Sequence, residues 1–104
     1  MRVTSIILSL VSFAACTTLA TAATGVFSYR YDLSESGNME NPASGTCINV
    51  PEASDDTPAD SPKDDTDRGV TLFLDFDCEG ETKYDLRAHK SLSSRLKFRS
   101  VKFH

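Results

Sequence analysis

Three carboxylates alternate at Asp75, Asp77 and Glu79. On an extended strand, residues two apart share a face at a separation of about 6.5 Å, close enough for paired acid–base work on a glycosidic bond. Acids at a strand end entering a turn are also ordinary solvated groups, and nothing beside these three would raise one pKa. The chain has no Trp to stack on a sugar. His89 and His104, with arginines nearby and a Glu farther off, would suit acid–base work of the His-and-Glu kind on RNA. His89 falls in a polar turn, and His104 is expected to fray. No Gly-x-Ser-x-Gly, His-Glu-x-x-His or phosphate-binding glycine loop occurs. No catalytic residue, metal ligand or cofactor is assigned.

Arg95, Lys97 and Arg99 alternate too, and form a candidate anion-binding stripe on one strand face for phosphate, anionic lipid or acidic polysaccharide. All fifteen acids lie between Asp32 and Asp85, whereas six bases follow Asp85. The net charge of −4 and the lack of aromatics interleaved with the exposed face of those bases argue against specific nucleic-acid binding. A solvated face, partly neutralised by the chain's own acids, is the alternative.

Four runs read as strands that would position these groups. Phe27, Tyr29 and Tyr31 alternate with polar residues; Thr46 to Val50 is β-favouring and ends at Pro51; Val70 to Phe76 is strongest; Phe98 to Phe103 closes the chain. A weaker strand runs through Thr82, Tyr84 and Leu86, and Leu92 and Leu96 hint at one helical turn within Ser91 to Leu96. Turn residues mark Ser34 to Gly37, Asn41-Pro42 and Glu79-Gly80. Residues 51–69 hold seven acids, three prolines and almost nothing apolar, and read as a mobile acidic loop inside the domain. Phe103 is expected at an exposed edge where two chains could pair. The fold class is all-β.

Residues 1–22 read as a secretory leader: Arg2, an apolar run from Ile6 to Ala15, and the small-x-small site Ala20-Thr21-Ala22. Removing 22 of 104 residues leaves one domain, 23–104, with no apolar stretch of membrane-spanning length. Cys16 leaves with the leader, so Cys47 and Cys78 form an even pair in an oxidising compartment and are expected to be bridged. Such a bridge closes a 31-residue interval and, on the chain-entropy model, stabilises by about 3.7 kcal/mol. Two free thiols or a link to another chain are the alternatives.

Phe73-Leu74-Asp75-Phe76-Asp77-Cys78-Glu79-Gly80 resembles the aromatic-rich, glycine-ended signature that opens a Greek key of the βγ-crystallins, with Cys78 replacing the second aromatic. Ser100 looks like the serine of that motif's closing strand. The resemblance covers about residues 70–104 and implies a small Greek-key β-sandwich with Phe73, Gly80 and Ser100 as structural motif residues. Gly80 would permit a positive φ, and the Ser100 hydroxyl would bond the folded-over hairpin. The family's calcium pattern, aligned on Ser100, would need acids at Arg95 and Leu96, so no calcium site is expected. The leader, the Cys-Ile-Asn-Val-Pro strand and the hairpin together also resemble small secreted proteins of filamentous fungi.

These features point to a secreted, non-enzymatic, effector-like interaction protein whose partner is an unknown extracellular host or cell-wall component. A membrane-active antimicrobial or killer-toxin-like protein, and a small secreted hydrolase or ribonuclease, are the alternatives.

Overall fold

The computed structural model describes residues 21–104. Nine strands follow one another: β1 Gly25–Tyr31, β2 Glu35–Glu40, β3 Cys47–Asn49, β4 Ala59–Thr66, β5 Val70–Phe73, β6 Lys83–Leu86, β7 Lys90–Ser91, β8 Lys97–Phe98 and β9 Ser100–Phe103. They form two antiparallel sheets, one ordered β2-β1-β4-β7 with β8 also on β4, the other β3-β9-β5-β6. No α-helix is present among the described residues. Most of the proposed leader lies outside the described residues, as does Cys16; Ala22 bridges Ala43, and Ala23 is buried.

The third strand of the first half crosses over. β3 leaves β1, β2 and β4 to flank β9, whereas β7 leaves the second half to flank β4. Each sheet is therefore built from both halves of the chain. Alternation places Phe27 and Tyr29 of β1 inward, facing Val70 and Leu72 of β5 and Val101 and Phe103 of β9. Phe27 meets Phe98 and Phe103 edge-on, with ring centroids 6.0 and 5.4 Å apart, a geometry that sets ring edges against π faces.

Residues 59–66 are not part of a mobile loop. They form β4, which β1 and β7 flank. The alternation is real but carried by small and polar side chains, since Ala59, Pro62, Asp64 and Thr66 all point inward. Between Ser28 and Arg30 the pairing with β4 slips by one residue, at Ser61-Pro62, with Ser61 at φ +54°. A bulge leaves backbone groups unpaired, so a proline without an N–H fits there.

The first hairpin turns earlier than Ser34–Gly37. Asp32 and Leu33 take positive φ, and β2 already includes Gly37. Gly37 serves packing instead: a Cβ there would stand 2.6 Å from the Tyr29 ring. Leu92 and Leu96 form no helical turn, and β5 stops at Phe73 rather than Phe76. Phe103 is fully buried, because β9 lies inside its sheet between β3 and β5. A disulfide joins Cys47 to Cys78.

Candidate interaction surface

After β5 the chain folds back over its own sheet. Residues Phe76–Cys78 form a single 3-10 turn in which Asp77 and Cys78 have φ of 64° and 53°. Two side chains clasp it. The Ser100 hydroxyl accepts the Cys78 N–H at 2.9 Å and donates to the Asp75 carbonyl at 2.5 Å. Asn49 closes a reciprocal pair with Asp77, donating to Oδ1 at 2.9 Å and accepting the Asp77 N–H at 2.7 Å. Gly80 has φ +85°, and a Cβ there would collide with Asp75 Oδ2. Phe73, at the hairpin's base, is 9% exposed. Asp75, Asp77 and Glu79 lie in this bend rather than on an extended strand, so they do not share one face.

The three bases of the expected stripe part company. Arg99 donates from Nε to Ser54 O at 2.9 Å, from Nη2 to Asp55 O at 2.7 Å and from Nη1 to Leu74 O at 3.0 Å. Its guanidinium fork is filled by carbonyls and pins residues 54–55 to the end of β5. Lys97 Nζ donates to Ser94 O at 2.9 Å and faces Asp60 at 3.5 Å. Asp60, nearly buried, also faces Arg30 at 3.7 Å and accepts from the Ser61 hydroxyl. Of the three, Arg95 alone keeps its charge free of an ion pair or carbonyl partner among the described residues. The stripe is thus not a shared anion site.

Arg95 lines a cleft of about 260 Å³ with Tyr84, Leu92, Ser93 and Leu96. It opens between β6, the last strand of its sheet, and the segment joining β7 to β8. Tyr84 and Leu92 are 43% and 38% exposed, large apolar side chains left in water. The volume falls at or below the ~300–1,000 Å³ that drug-sized ligands occupy, and suits one or two side chains of a macromolecule. Sequence reasoning missed this cleft because Tyr84 reads only as part of a weak strand, and Leu92 and Leu96 as one helical turn. The one available signal was Arg95 flanked by apolar and small residues.

Both histidines are held by hydrogen bonds. His104 does not fray: its N–H donates to Gly69 O at 2.9 Å, and its Nε2 lies 2.8 Å from the Thr71 hydroxyl, which donates to Asp85 at 2.8 Å. His89 is exposed in a turn with φ +63°, its N–H donating to Asp64 O. Asp64 itself is fully buried, and its burial pushes the carboxyl above the usual carboxylate range. Tyr29 donates its phenol to Glu52 at 2.5 Å, and burial, then Glu52, pushes that phenol well above its ordinary value.

Comparison with family models, curated proteins and solved structures finds no match. Among the described residues no helix is long and apolar enough to cross a membrane.

Proposed function

We propose that this chain is a secreted, non-enzymatic interaction protein that uses a βγ-crystallin-like Greek-key sandwich as a rigid extracellular frame. The exchange of β3 and β7 between sheets supports the Greek-key reading, as does a serine hydroxyl clasping a folded hairpin that ends in a positive-φ glycine. The bridge between Cys47 and Cys78 supports export, because such links persist in oxidising compartments. An effector-like or antimicrobial role is the concrete form of this function.

One observation carries the reading. The cleft sets exposed Tyr84 and Leu92 beside the unpaired Arg95, and apolar surface around a cation is the usual composition of a binding patch. Residues 92–96 are anchored on β4 at both ends, by Leu92 N–H on Pro62 O and by the pairing of Lys97 with Asp60, and closed within by Leu96 N–H on Ser93 O, so little ordering accompanies binding.

The test is capture of extracellular-matrix or cell-wall material by the immobilised, disulfide-bonded protein. Retention should be lost in a Leu92→Ser, Arg95→Ala variant and kept in His89→Ala. RNA or glycan hydrolysis abolished by His89→Ala would instead establish an enzyme. Leakage of anionic vesicles abolished by removing Arg95, Lys97 and Arg99 would establish a membrane-active protein.

A further inference from the structure

We infer that the cleft belongs to a self-association surface, and that two copies of this chain join by antiparallel pairing of β6 about a two-fold axis at Tyr84. The inference rests on reading the cleft as an interaction surface and names its partner as a second copy.

The hydrogen-bond parity of β6 is fixed. Leu74 N–H donates to Thr82 O, and these residues lie directly opposite when the β5–β6 register is continued by one pair. Opposed residues alternate between bonded and non-bonded pairs, so Thr82, Tyr84 and Leu86 turn their backbone groups toward β5. Lys83 and Asp85 turn theirs outward. β6 ends its sheet, so those groups form an open edge.

The side chains of that edge are complementary to themselves. Glu81-Thr82-Lys83-Tyr84-Asp85-Leu86-Arg87 is charge-antisymmetric about Tyr84. Antiparallel pairing centred there sets Lys83 against Asp85 of the other copy and Glu81 against its Arg87. The same register makes Lys83 and Asp85 a hydrogen-bonded pair, as their outward backbone groups require. Tyr84 then meets its counterpart in a non-bonded pair, where side chains approach most closely. Opposite Leu72 in register, Tyr84 projects to the core side, so the two apolar clefts meet at the axis.

All four charges lack an ion-pair partner among the described residues, and Asp85 accepts the Thr71 hydroxyl on Oδ1 with its other oxygen left over. The other edges fit less well. β2 would oppose Glu35 with Glu40 of its copy, β3 spans three residues, and β7 spans two.

Sedimentation equilibrium of the disulfide-bonded protein from about 1 μM to about 1 mM tests this, a span that covers weak and firm dimers. Wild type should form a reversible dimer. Lys83→Glu and Asp85→Lys should each weaken it about tenfold or more, because each sets like charges opposite one another twice per dimer. An equimolar mixture of the two variants should dimerise again. In the mixed pair the introduced glutamate meets the introduced lysine, and the unaltered Asp85 of one variant meets the unaltered Lys83 of the other. Lys83→Pro, which removes an outward N–H without touching the β5 ladder, should abolish pairing while leaving the thermal melt cooperative. Monomeric wild type throughout, single variants that dimerise as well as wild type, or a mixture that stays monomeric would each overturn the inference. Capture by monomeric Lys83→Glu would still support the cleft as a binding surface, so the two readings fail separately.

Discussion

Asp64 shows how one buried group shapes pH response. Its Oδ1 accepts the Thr66 N–H at 3.0 Å and lies 2.6 Å from Thr66 Oγ1, whereas Oδ2 is buried with no partner. Thr66 Oγ1 also lies 2.9 Å from Arg68 O and accepts Arg68 N–H at 3.2 Å. A hydroxyl has one hydrogen, so an ionised Asp64 and the Arg68 carbonyl compete for it. A protonated Asp64 removes the conflict by donating to Oγ1, which then donates to Arg68 O. Burial raises this carboxyl, opposed by the bonds from Thr66 and by His89, with Asp65 adding to the rise. A raised acid binds its proton more tightly in the folded state, so its contribution falls as pH climbs from the unfolded value near 3.8 through the folded one. Asp64→Asn should flatten that part of the stability–pH curve, read by thermal melts between about pH 3 and pH 7. Ser100→Ala belongs to the same scale. It strands the Cys78 N–H and the Asp75 carbonyl, and should cost about 1–3 kcal/mol in denaturant titration.

Among elements, the segment after β3 depends on two side chains from elsewhere. Arg99 gathers Ser54 and Asp55 carbonyls, and Tyr29 holds Glu52, so the acid-rich stretch before β4 is tied down at two points. Lysine cannot reproduce a fork that meets three carbonyls. Arg99→Lys should therefore speed amide exchange at Thr57, which bonds Ser54 O, and cost about 1–3 kcal/mol. Exchange at Leu72 and Val101 should keep its wild-type order. The same segment shows why parts of the fold were legible in the chain and parts were not. β1 and β9 announce themselves because Phe27 and Tyr29, or Val101 and Phe103, bury apolar area within short alternating or apolar runs. β4 alternates too, yet its inward residues are Ala59, Pro62, Asp64 and Thr66, whose burial relies on neighbours that a local pattern cannot reveal. Gly37 likewise reads as a turn residue when its role is to admit the Tyr29 ring. The disulfide was readable because Cys47 and Cys78 are left as an even pair, and the Ser100 clasp because Phe73 to Gly80 and Ser100 resemble a βγ-crystallin hairpin motif. The dispersal of Arg95, Lys97 and Arg99 was not, since β8 ends at Phe98 and Arg99 turns to carbonyls 44 and 45 positions away.

At the scale of the molecule, the crossed halves make the Cys47–Cys78 bridge more than a local staple. β3 has three residues and a single neighbour, β9, so little backbone holds this edge. Cys78 lies in the turn that Ser100 of β9 clasps, and Cys47 faces Lys102 in the register of the same strand. The bridge thus ties β3 to the folded hairpin as well as to β9. Removing it returns the denatured chain the freedom of a 31-residue interval and leaves β3 to its ladder and the Asn49–Asp77 pair. A Cys47→Ser, Cys78→Ser variant should lose about 2–5 kcal/mol in denaturant titration. Because β3 closes only one side of its sheet, the loss should not be uniform. Native-state exchange should rise first at Cys47–Asn49 and in the 3-10 turn, while Phe27 and Leu72 open only with global unfolding. Cys47 is solvent-exposed, so a mild thiol reductant should reproduce the variant's melt without denaturant. If variant and wild type melt together, the interlocked sheets hold β3 unaided, and the bridge adds nothing to the folding free energy.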